Sequence, residues 1–139
     1  VEAGRHQADL RGLPVRYVEL NAFELSAALA PDSVDIVFIA QSMHHFTPGQ
    51  LAMMVAQAAR VARVGFVGID GRRSPELFAV VPLAGLLLGS RDYLHDAIVT
   101  LRRFYTESEL ELVARLALPD GFVSVRPELP GYSLLMACA

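Results

Sequence analysis

Lysine and tryptophan are absent from this chain of 139 residues, and cysteine occurs once, at Cys138. A lone cysteine excludes an internal disulfide framework and a thiolate-based zinc site, and it suits a reducing, cytoplasmic setting. All 12 basic residues are arginine, a preference we read as genome composition, and 15 acids bring the net charge to −3. That balance supplies neither the basic stripe of a nucleic-acid binder nor a polybasic membrane anchor. Long apolar runs are missing too. The longest, Leu77 to Leu88, is interrupted by Pro82 and Gly85 and is shorter than the roughly 20 residues a bilayer span needs. The opening residues, Val1 to Gln7, include no initiator Met and no basic-then-apolar leader pattern. Repeats and low-complexity tracts are absent. So are a G-x-G-x-x-G loop and a G-x-S-x-G elbow. His44, His45 and His95 lack an established ligand spacing, so no metal is expected.

What the chain has is apolar residues, 53% of the total, arranged in alternating helical and strand-like segments. A helix is expected to end near Arg11, stopped by Gly12 and Pro14. Val15 to Val18 reads as a short strand. Val34 to Ala40 is a nearly unbroken β-branched and aromatic run, the pattern of a strand covered on both faces in a parallel sheet. Thr47, Pro48 and Gln50 then spell a helix start, with a cap, a first-turn proline and a capping-box partner. Leu51, Met54, Val55, Ala58 and Ala62 fall on one face behind it.

Val64 to Ile69 is the next strand, ending at Asp70. Ser74-Pro75-Glu76 opens another helix, which Pro82 should kink. Thr106 and Glu109 make a second capping box, ahead of an inward face of Leu110, Val113, Ala114 and Ala117. Phe122–Val125 and Ser133–Ala137 are the last strands, joined across Pro127, Pro130 and Gly131. The order predicts an α/β fold with a parallel core and an antiparallel end. In such sheets ligands bind beyond the carboxyl ends of the strands. The polar turns beginning near Asn21, Gln41 and Asp70 should therefore share one rim.

Three blocks, in order, carry a family resemblance. Val34 to Phe46 resembles the fourth strand and following loop of class I S-adenosylmethionine (SAM)-dependent methyltransferases. Arg11 to Leu25 is similar to their third strand and adenine loop, and Arg102 to Cys138 to their closing helix and terminal hairpin. The resemblance implies a Rossmann-like sheet in the order 3-2-1-4-5-7-6. Residues 1–139 would then be a partial domain, running from the helix before the third strand to the C-terminus, without the first two strands or their glycine loop. Val34–Ala40 would become an open edge, inviting pairing with a second copy.

By the same resemblance, SAM is the cofactor and a small molecule the acceptor. Asn21, Ala22 and Phe23 take the adenine side, with Asn21 standing where the family usually has Asp. Ala40 and Gln41 lie beside the sulfonium. His44 or His45 orients the acceptor or acts as a base, or else packs to hold the loop. Asp70 binds the acceptor or caps the next turn. His95 and Asp96 resemble an acceptor-side signature, though adjacent residues do not form a dyad by default. Residues 74–104 correspond to the acceptor-side insertion, a lid or interface, with a buried core helix as the alternative for Leu77–Leu88. The 139 residues alone are expected to be inactive. A non-catalytic binding or dimerisation module on the same fold is the competing reading. An NAD-dependent oxidoreductase shares the layer pattern but lacks its fingerprint here.

Overall fold

The computed structural model describes residues 2–88 and 91–139. Among these residues, six helices and four strands follow in the order α1 Glu2–Leu10, α2 Leu25–Ala28, β1 Val34–Ala40, α3 Pro48–Val61, β2 Ala62–Gly71, α4 Pro75–Leu88, α5 Arg91–Arg103, α6 Glu107–Ala117, β3 Phe122–Glu128 and β4 Tyr132–Cys138. A single 3-10 turn, Met43–His45, follows β1. Among the described residues no helix is long and apolar enough to cross a membrane.

The sheet order is β1-β2-β4-β3. β1 and β2 are parallel, while β4 runs antiparallel to both β2 and β3. This is the arrangement expected of the fourth, fifth, seventh and sixth strands of the 3-2-1-4-5-7-6 sheet. Both capping boxes form as their sequences predict. The Thr47 side chain accepts from the Gln50 N–H while Gln50 reaches back to Thr47, and Thr106 and Glu109 repeat the pattern.

Register sorts the side chains cleanly. Val37, Phe66, Leu135 and Ala137 point to the face on which α3 and α6 pack. There they join Met43, Leu51, Val55, Leu110 and Val113 in one core. Leu51, Met54, Val55 and Ala58, read as the inner face of α3, are all buried. So is Ala62, which its spacing puts on that face but which lies past the end of the helix as the first residue of β2. Gly68 matters to this packing, because a methyl group there would come within 2.6 Å of the Met43 sulfur. The bare glycine lets the 3-10 turn lie directly on the sheet.

Two expectations need correction. Val15–Val18 belongs to no strand, and residues 11–20 are all exposed. A strand needs a neighbour to complete its ladder, and the outer edge of β1 offers it none. Instead the Arg5 guanidinium donates to the Tyr17 carbonyl at 2.8 Å. Secondly, β1 is covered on one face only. Ile36 and Phe38 point the other way and are 51% and 61% exposed. The Leu77–Leu88 helix, for which a buried core helix is the alternative to a lid or interface, has Val80, Leu83, Leu86 and Leu87 facing solvent. α4 runs as one helix through Pro82, and it leans on α5 where the Gly85 backbone meets Leu94.

Candidate functional site

The carboxyl ends of β1 and β2 meet at one edge of the sheet. The Gln41 N–H donates to the Ile69 carbonyl at 2.8 Å, extending the ladder past β1. Gln41 itself turns with φ of 53°, a left-handed conformation uncommon for a non-glycine residue. The chain thereby swings off the sheet into the 3-10 turn.

Asp70 anchors that turn from the neighbouring strand. Asp70 is 3% exposed, and its carboxylate accepts the His44 backbone N–H at 2.8 Å, the Gly71 N–H at 2.7 Å and the His44 Nδ1–H at 2.9 Å. The last contact requires the proton on Nδ1, which leaves Nε2 of a neutral ring as its acceptor nitrogen. The His44 ring also meets Phe104 edge-on, with centroids 5.0 Å apart. His45 is exposed, its ring 4.1 Å from that of His44.

The Asn21 turn reaches the same edge through aromatic packing. Phe23 meets Phe46 at a right angle with centroids 5.8 Å apart. The Phe46 carbonyl in turn accepts the Tyr105 hydroxyl at 2.7 Å. Burial, with help from the Glu109 charge, pushes the Tyr105 phenol above its ordinary value and keeps it a donor. Asn21 Oδ1 accepts the Phe23 N–H at 3.0 Å, the habit of a turn-forming asparagine. The turns beginning near Asn21, Gln41 and Asp70 are thus linked through Phe23–Phe46 and His44–Asp70.

Over this rim lies a cavity of about 350 Å³. Its floor includes Gln41 and Gly71, its roof is Leu77 and Val81 of α4 with one face of α5, and Pro130, Gly131 and Tyr132 close one side. The Phe104 ring abuts Gly71, where any side chain would overlap it. Asp96 lines the cavity, whereas His44, His45, Asp70 and His95 are not among the described residues of its wall. Phe104, Thr100 and Tyr132 were not singled out from sequence. The helical spacing of Ala97, Leu101 and Phe104 is the signal that could have marked that face.

Two ion pairs pin the rim to α6. Arg73 pairs with Glu109, and Arg72 Nε lies 3.2 Å from Glu107 Oε1, close enough for attraction though not aligned as a hydrogen bond. Ser133, fully buried, donates to the same glutamate at 2.7 Å. Burial works against the Glu109 carboxylate, yet hydrogen bonds from Thr106 and Arg73 outweigh it and hold its pKa below the ordinary value.

No family model and no curated relative matches the chain. Solved structures do. A SAM-dependent methyltransferase from Aquifex aeolicus superposes with a TM-score of 0.66 at 17% identity, over 99% of this chain and 62% of that one. An O-methyltransferase family protein from Burkholderia thailandensis gives 0.60 at 20% identity, over 99% of this chain and 40% of its own. The plantazolicin methyltransferase BamL, solved with a triazolic desmethylPZN analogue and SAH, gives 0.67 at 12% identity, over 98% and 65%. The chain therefore spans about two-fifths to two-thirds of these proteins. The likeness, at such identities, is one of fold: the chain has the Rossmann-like architecture of class I SAM-dependent methyltransferases.

Proposed function

We propose that the complete protein transfers a methyl group from SAM to a small-molecule acceptor held in the cavity beneath α4 and α5. The observation that supports this most directly is the position of that cavity. It opens where β1 and β2 end, on a methyltransferase fold, which is where open α/β sheets take their ligands.

The residues present suit one side of the cofactor. Ala40 and Gln41 would flank its sulfonium, and the Asn21–Phe23 turn its adenine. Oδ1 of Asn21, if released from the Phe23 N–H, is an acceptor without the charge of an acid. No glycine-rich turn occurs within these 139 residues, so they make a partial cradle. When bound, SAM supplies a methyl group already activated by the sulfonium.

The chain's own contribution is placement and exclusion of water. Residues 74–104 act as the acceptor-side lid, although 89 and 90 lie outside the described residues. Phe104 seals the floor against Gly71. Asp70 fixes the 3-10 turn and the His44 tautomer, and with Phe104 between the His44 ring and the cavity we assign both as positioning residues. His45, exposed but not among the described residues of the cavity wall, would have to be approached by an acceptor reaching beyond the cavity to serve as a base.

Calorimetry tests the reading. The 139-residue chain should give no saturable heat with micromolar SAM, and clear saturation would refute the idea of a partial grip. In the complete protein Gln41→Trp should abolish SAM binding, and retained affinity would displace Gln41 from the sulfonium site. A non-catalytic binding module is the second reading. It is favoured by the Asn21 oxygen already being used within its own turn, and a complete protein that never binds SAM would establish it.

A further inference from the structure

The geometry points to a cavity that accepts small, ring-sized apolar molecules bearing a cationic or hydrogen-donating group and turns carboxylates away, with Asp96 as the selecting residue. It rests on the reading of this cavity as the acceptor site, and adds to that reading a chemical class for the acceptor.

Size and lining set the apolar part. About 350 Å³ sits at the lower end of the roughly 300–1,000 Å³ typical of ligand pockets, enough for one or two rings. Leu77 and Val81 stand one helical turn apart on α4, Ala97 and Leu101 repeat that spacing on α5, and Phe104 follows the helix directly. Together they present hydrocarbon from two sides.

The polar part comes from the same face of α5. Asp96 and Thr100 are four residues apart and both line the cavity, so they lie one above the other along the helix. Asp96 is the one charged residue among the described lining, which contains no Arg and no His. The nearest basic residues in sequence to the cavity floor, Arg72 and Arg73, follow Gly71 directly, but each is engaged by a glutamate, Glu107 and Glu109. An incoming carboxylate would therefore meet a like charge at Asp96, with no cation among the described residues of the wall to offset it. An ammonium or other donor would meet an acceptor. Selectivity of this kind comes from repulsion of the wrong ligand as much as attraction of the right one.

The test uses two probes with the same phenethyl body and opposite charge, phenethylamine and 3-phenylpropionate, titrated into the purified chain by calorimetry without SAM. The amine should bind more tightly by about tenfold or more, as one unshared charge near a partly exposed site allows. Asp96→Asn, at an exposed position, should erase most of that preference while sparing the fold. Ala97→Trp should remove binding of both probes by filling the cavity. Equal or tighter binding of the acid overturns the inference. So does a preference that survives Asp96→Asn, undiminished binding in Ala97→Trp, or failure of the amine to bind at about 10 mM, below even millimolar affinity. Because SAM is left out, the two ideas fail separately. Amine selectivity in a protein that never binds SAM would retire the methyltransferase reading alone, whereas SAM binding without selectivity would retire only this one.

Discussion

A buried carboxylate with three N–H groups converging on it is hard to replace, and Asp70 is such a group. Asn keeps one oxygen but turns an NH2 toward donors that now lack a partner. Asp70→Asn should therefore lower unfolding free energy by about 1–3 kcal/mol, read by urea denaturation, and unchanged stability would mean that the three bonds do not hold the turn. Glu109 gives a pH signature. Its folded pKa is lowered, because hydrogen bonds from Thr106 and Arg73 outweigh the burial that opposes them. Its contribution is thus complete above the unfolded value of about 4.3 and is lost as pH falls through the lower folded value. Wild type should exceed Glu109→Gln in stability at neutral pH, by about 1 kcal/mol or less for so exposed a pair. The gap should close in acid; a gap that widens on acidification reverses the sign. At this scale the sequence marked Asp70 as a strand end but could not join it to His44. The two are 26 residues apart, and only the order of strands in the sheet brings them together.

Elements whose ends are chemical were readable letter by letter. Thr47 with Gln50, and Thr106 with Glu109, announced α3 and α6 because a cap is a local contact, complete within four residues. Thr47→Ala should cost about 1 kcal/mol, measured as a lower melting temperature, and no shift would show that the cap is redundant with the packing of Leu51 and Val55. Elements that depend on distant partners were misread. Val15–Val18 has the composition of a strand, and composition cannot supply the ladder. Val34–Ala40 has the hydrophobicity of a strand enclosed on both sides, yet α3 and α6 cover only one. The 3-10 turn at Met43–His45 had no local mark at all, being set by Asp70 from the next strand and by the open space over Gly68.

For the whole molecule, the uncovered side of the sheet is an apolar surface. Ile36, Phe38 and Phe122 stand on it more than half exposed, and contiguous apolar surface of this sort limits solubility. Phe38→Lys removes apolar area that the fold does not bury. It should raise the saturation concentration in neutral buffer and leave the melting temperature within a few degrees, as surface changes within about ±0.5 kcal/mol do. A large drop in melting temperature would show that this side chain is covered in the folded molecule. The fold class and the rim of polar turns were legible because both follow from the alternation of helices and strands. The cavity was not, since its walls come from four separate stretches of chain. That division has an evolutionary corollary. The floor, Gln41 and Gly71, belongs to the shared scaffold, whereas the roof belongs to α4 and α5. Drift in those two helices can therefore recast what the chamber admits, while the β-strand ends beneath it stay as they are.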